Sequence, residues 1–193
     1  MTDWLFRLCD RLLTDADDRI VAQQKQATIA AGGTDAAAAF LELCRLAGEA
    51  ADPAAALIAL DEVEDAEPVD LLGLLVIHAF ADLRASYPAQ PDASAARERL
   101  ALRAEAAYPA IGDMLGHAVL DFTVRMVGEA TVQLSRLAAN AAPLVRVETG
   151  ISLPSSLIAF DLYGQASRGA EIMERNRCGT PMMLPSPLKA LAY

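Results

Sequence analysis

The chain has 193 residues, of which 26 are acidic and 16 basic, giving a formal net charge of −10, and 54 % are hydrophobic. That apolar content suffices for a packed core and excludes an intrinsically disordered chain. The charge argues against a Lys/Arg surface that neutralises nucleic-acid phosphates or anionic lipid, and no basic cluster interrupts the sequence. The imbalance is local, with 19 acids and 9 bases in residues 1–110 against 7 of each in 111–193. Alanine, about a fifth of the chain, and leucine dominate, and both favour helix. The fold expected is mainly α. Cys9, Cys44 and Cys178 are odd in number and widely spaced, which fits a reducing compartment better than a disulfide framework or a zinc motif. The longest apolar stretch, Leu71 to Phe80, is too short to span a bilayer. The start, Met1-Thr2-Asp3-Trp4, lacks the basic residues of a signal peptide.

In chain order, Thr2 or Asp3 caps an expected first helix running to about Ala31, where Gly32-Gly33 stops it. A second helix starts at Thr34 or Asp35 and ends near Gly48. Asp52-Pro53 is a cap followed by proline at the first helical position, and opens a third helix through Leu60. Asp61 to Asp70, with six acids and Pro68, reads as a solvated loop. It lacks the central glycine of a calcium loop. Val69 to Ala85 is the most apolar helix and the expected centre of a bundle. Tyr87 to Pro91 breaks the chain, and Asp92 or Ser94 caps the next helix. Pro109 and Gly112 interrupt it, and Asp113 to about Asn140 forms a long final helix.

After Pro143 the pattern changes. Leu144 to Glu148 alternates apolar and charged residues, a short strand signature. Ser155 to Tyr163 reads as a short helix ended by Gly164. Ser167 caps a second helix, Arg168 to Arg177, with Ile172 and Met173 inward. Leu188 to Tyr193 reads as a closing strand. This divides the chain into an α-helical domain over 1–140 and a small strand-helix-helix-strand module over 141–193.

That module carries the most specific signal. Its residues are Leu153-Pro154, Leu162-Tyr163-Gly164, Ala166-Ser167-Arg168, Glu171-Ile172, Arg175-Asn176-Arg177, Pro185 and Pro187-Leu188. The pattern resembles the C-terminal end of the Mu-like phage DNA circularisation protein family, which are tail and baseplate components. Gln165 stands where that family usually has an acid. Cys178 to Ser186 replaces a glycine-rich stretch. The resemblance covers residues 140–193, and the family's N-terminal domain has no visible counterpart. The same order of elements, with Tyr-Gly and a Glu-Ile-x-x-Arg-Asn helix, is also similar to LysM-like modules. The resemblance implies docking of a neighbouring protein through Tyr163, Arg168, Arg175 and the Pro181–Leu188 loop. Gly164, Glu171, Asn176, Pro185 and Leu188 complete the expected interaction set. Several have a folding role as well. Gly164 ends a helix with φ > 0, Glu171 and Arg175 are spaced for an ion pair, and Asn176 satisfies backbone in the following turn.

Catalytic and metal-binding patterns are not evident. His78 and His117 have no Glu or His at ligand spacing. Ser155-Ser156 lacks a nucleophile-elbow glycine pattern, and Gly32-Gly33 precedes no phosphate-loop lysine. Together with the resemblance, which implies a tail role, this gives the expectation of a non-enzymatic phage or prophage tail protein of the baseplate or tail tip. It would need no cofactor or metal and would assemble symmetrically with other tail proteins. Neither nucleic acid nor membrane insertion is expected. Its expected location is the virion tail, after assembly in the host cytoplasm. A peptidoglycan-binding module of the tail and a non-virion assembly factor remain open alternatives.

Overall fold

The structure, a computed structural model, describes residues 2–63 and 66–192. The protein is mainly α-helical, with a two-stranded antiparallel sheet near its C-terminal end. The elements are α1 (Asp3–Leu12), α2 (Ala16–Ala31), α3 (Ala36–Gly48), α4 (Pro53–Leu60), α5 (Pro68–Arg84), α6 (Gln90–Leu115), α7 (His117–Asn140), β1 (Leu144–Val147), α8 (Ser155–Tyr163), α9 (Gly169–Arg175) and β2 (Leu188–Leu191). The chain forms two compact units, Met1–Ser86 with Ala93–Leu137, and Tyr87–Asp92 with Ala138–Tyr193. The second unit thus starts slightly before residue 141 and takes in Tyr87–Asp92, of which Tyr87 to Pro91 reads from sequence as a break and Asp92 as a cap. No described helix is long and apolar enough to cross a membrane.

In the first unit, the single helix expected to Ala31 is two. Leu13 is extended and buried, and the Asp15 carboxylate accepts the N–H groups of Asp17 and Asp18 at 2.9 and 3.3 Å. That is an N-cap restarting the helix in mid-pattern. Asp52 caps α4 as its sequence implies, accepting Ala55 N–H at 3.0 Å. The acidic stretch before α5 is not wholly a solvated loop. Asp70 lies inside α5 and is buried, where it accepts Trp4 Nε1–H at 2.7 Å and Glu67 N–H at 3.2 Å. Asp61 pairs with Arg103 at 2.6 Å and Glu62 with Arg11 at 3.1 Å. Glu64 and Asp65 lie outside the described residues.

Helix α3 packs on α2 and α5, and α5 also packs on α4. Two glycines let α3 and α5 approach. A Cβ on Gly48 would lie 2.7 Å from Phe80 Cβ and 2.9 Å from the Ile77 carbonyl. A Cβ on Gly73 would lie 2.7 Å from Phe40 Cζ. Leu43, Cys44, Ala47 and Ile77 are fully buried around this crossing. The expected interruption at Pro109 and Gly112 does not occur. Pro109 sits within α6 on its exposed side, as does Glu105, the residue whose carbonyl it leaves without a helix donor. The break falls at Gly116, with φ 88°, and the next helix begins at His117 rather than Asp113. Asp92 does not cap α6, which begins at Gln90.

In the second unit, β1 and β2 pair with Leu144 opposite Leu191 and Val147 opposite Leu188. Ile158 and Ala159 of α8, Ile172 of α9, and Leu184, Leu188 and Ala190 form its core. Helix α8 ends at Gly164, whose φ of 68° is the left-handed conformation glycine adopts without strain. A single 3-10 turn, Ala166–Arg168, precedes α9. The helix expected from Arg168 under a Ser167 cap therefore starts at Gly169, and no side-chain cap bond is made. Gly169 is where α8 and α9 touch, since a Cβ there would meet Ser155 backbone at 3.0 Å.

Candidate functional site

The residues singled out in sequence cluster in this second unit, and most of them hold it together. The Tyr163 hydroxyl accepts Leu191 N–H at 2.9 Å and donates to the Leu191 carbonyl at 3.4 Å. Asn176 Oδ1 accepts Lys189 N–H at 2.7 Å, while its Nδ2 donates to the carbonyls of Lys189 and Ile172, both at 2.8 Å. Lys189 and Leu191 are the β2 residues whose backbone points away from β1. Two side chains therefore close the outer edge of β2, where an unpaired strand edge would otherwise invite further pairing.

The Arg168 guanidinium lies 3.8 Å from the Tyr163 ring centroid and pairs with Glu171 at 2.8 Å. This corrects the expected Glu171–Arg175 pair. Glu171 reaches back to Arg168, and Arg175 instead pairs with Asp92 at 3.4 Å. The i,i+3 partner wins because the Tyr163 face holds the Arg168 guanidinium in place. Leu188, expected in a docking loop, is 2 % exposed and belongs to the core. Pro185 is exposed, next to buried Leu184.

Beside this cluster is a cleft of about 560 Å³, bounded by Asp92, Leu144, Glu171, Glu174, Arg175 and Lys189. Asp92 and Lys189 are not legible in the sequence as cleft residues, because a lone charged side chain carries no signal of where it points. Glu171 Oε1 and Arg175 Nε, on two residues of the cleft wall, are buried without a hydrogen-bond partner. Leu157 and Phe160 are 45 % and 58 % exposed on α8. Ile151, Met182 and Met183 are 66–71 % exposed in the adjoining loops. Those loops meet through Leu184 N–H to Leu153 O at 3.0 Å and Ser155 N–H to Pro181 O at 2.8 Å.

The side chains examined for catalysis have structural surroundings. His78 is buried, with the Arg103 guanidinium against its Nε2. Burial, with Arg103 beside it, lowers its pKa to about 4, so the ring is neutral near pH 7. Burial raises the Cys9 thiol to about 12 and the Cys44 thiol well above its usual range, which leaves neither a thiolate. Cys178 is half-buried, with its thiol 3.6 Å from the Asn176 carbonyl. His117 is exposed at the start of α7. Among the described residues, no three His, Cys, Asp or Glu side chains are placed to hold a metal ion.

The sequence matches no protein-family model and no curated protein.

Proposed function

We propose that this protein is a structural component of a bacteriophage or prophage tail, in the baseplate or tail-tip region, and that it works by protein–protein assembly. The observation that carries this reading is the exposed apolar set of the second unit. Ile151, Leu157, Phe160, Met182 and Met183 lie on and beside a small core that is already complete without them. Large aromatic and methionine side chains left in water on so small a unit are characteristic of contact surfaces. The resemblance of residues 140–193 to Mu-like phage tail proteins supplies the biological setting. Tyr163, Arg168 and Asn176 then act by holding the module's shape, and Pro185 and the methionine pair lie on its exposed loop.

Quantitative mass spectrometry of purified virions tests this reading. Presence at a fixed stoichiometry of several copies per particle is expected. Abundance in infected cells with absence from particles would replace it with a non-virion assembly factor.

The polar cleft favours a second reading, a peptidoglycan-binding module. It lies where strands and α9 meet, and Glu171, Glu174, Arg175 and Lys189 give it a charged lining. Co-sedimentation with insoluble peptidoglycan, lost on Glu171→Ala or Arg175→Ala, would support that reading over assembly alone.

A further inference from the structure

The first unit holds a cavity of about 410 Å³ that the tail assignment does not use. Trp4, Arg7, Leu8 and Arg11 of α1 form one wall, at the i, i+3, i+4 and i+7 spacing that puts four side chains on one helix face. Ala59 of α4, Glu62, Val63 and Asp70 of α5 complete the lining. The volume lies in the range of small-molecule sites, where a few placed polar groups orient an otherwise apolar ligand.

Four of the eight lining side chains are charged, and three of those four are already engaged. Asp70 accepts Trp4 Nε1–H at 2.7 Å with one carboxylate oxygen and Glu67 N–H at 3.2 Å with the other. Both oxygens are thereby committed, and the Trp4 ring is fixed as a wall before any ligand arrives, which lowers the cost of binding against it. Glu62 pairs with Arg11 at 3.1 Å. Among the described residues, Arg7 makes no ion pair or hydrogen bond. Like charges one helical turn apart repel, and the single carboxylate of Glu62 serves only one of the two arginines. A second anion inside the cavity would answer Arg7 and relieve that repulsion. The Arg11–Glu62 pair is exposed and therefore weak, so Arg11 can turn to the same anion. Trp4, Leu8, Ala59 and Val63 offer an apolar surface for the rest of such a ligand. A guanidinium takes carboxylate and phosphate alike, and a cationic ligand would be repelled by Arg7.

We infer that this cavity binds a small organic anion, an apolar body carrying a carboxylate or a phosphate, through Arg7 and the fixed ring of Trp4. The inference is independent of the tail assignment, which virion mass spectrometry tests separately. Trp4 is the only tryptophan in the chain, so its fluorescence reads the cavity directly. The probes are benzoate and phenyl phosphate, titrated against the full chain. Benzyl alcohol is the uncharged control, and inorganic phosphate is the anion without an apolar body. At least one organic anion should give a saturable change in Trp4 emission, about tenfold tighter than either control and weaker at high salt. The two arms show which head group the cavity prefers. Arg7→Gln should weaken binding by about tenfold, since it removes a charge-assisted hydrogen-bond donor. Glu62→Gln, which releases Arg11 from its carboxylate, should tighten binding severalfold. Both residues are exposed, and an unchanged circular dichroism spectrum separates loss of the site from loss of the fold. Binding that Arg7→Gln leaves intact, binding no tighter than that of the controls, or no binding in either the wild type or Glu62→Gln would overturn the inference. So would binding that emerges only after Glu64→Gln and Asp65→Asn, because the chain's own acids would then be the occupant.

Discussion

Replacing Asn176 with Asp exchanges one amide nitrogen for an oxygen, yet it should undo the clamp on β2. Asparagine makes three side-chain hydrogen bonds here, accepting Lys189 N–H at 2.7 Å and donating to the Lys189 and Ile172 carbonyls at 2.8 Å. Aspartate keeps the first and loses both donors. It also sets a charged oxygen against two carbonyl oxygens. Each lost bond is worth about 1 kcal/mol net, and the repulsion adds to that, so the second unit should lose about 2–4 kcal/mol. Asn176→Ala, which loses all three bonds but adds no repulsion, should cost about 2 kcal/mol, because water reaches the Lys189 edge. The ordering Asp worse than Ala is the sharp part of the prediction. Hydrogen exchange read by NMR is the assay, since global melting of a two-unit chain need not be two-state. The Lys189 and Leu191 amides should lose protection in both variants, and more in Asp. An aspartate variant with native protection at both amides would show that Asn176 does not hold the strand.

Two glycine substitutions should have opposite signs. Gly48→Ala drives a Cβ to 2.9 Å from the Ile77 carbonyl and should destabilise the first unit by about 1–3 kcal/mol. Gly128→Ala, within α7 and with nothing within 4 Å of the new carbon, should stabilise by about 0.5–1 kcal/mol. Urea midpoints decide both. Gly164→Ala forces alanine into φ 68° and should lower the stability of the second unit by about 1–2 kcal/mol, seen as faster exchange in α8. His78 gives a pH test. Its folded pKa of about 4 lies below the usual 6.5, so the unfolded chain binds the proton first. The stabilisation is complete above about pH 6.5, falls as pH drops through that window, and is gone below about pH 4. Between pH 6.5 and 5 the loss should be about 2 kcal/mol, and His78→Gln should flatten it. A wild-type urea midpoint unchanged across that interval would show that the ring takes up its proton in the folded state.

Much of the local structure was legible in the sequence because it depends on residues close in the chain. Asp52-Pro53 starts α4, Gly32 and Gly164 end helices, and alternation over Leu144–Val147 makes a strand. Alanine and leucine content likewise set a mainly helical fold. Helix boundaries were less legible where two local signals competed. Asp15 restarts a helix inside an unbroken apolar rhythm, and Pro109 is absorbed on the exposed side of α6. Which charges pair was not legible at all. The Glu171–Arg175 spacing is favourable, but Arg168 stacked on Tyr163 takes the glutamate and Asp92 takes the arginine. Surface pairs four residues apart are worth only a few tenths of a kcal/mol, so any better-placed distant partner displaces them. In the same way Asp70 appears in sequence as one acid among six, and only the fold brings Trp4 to it across 66 positions. Sequence alone thus determined the elements, because their energies are local. Tertiary structure decided which polar groups meet, because those contacts join residues far apart in the chain and chain-local preference is too weak to choose them.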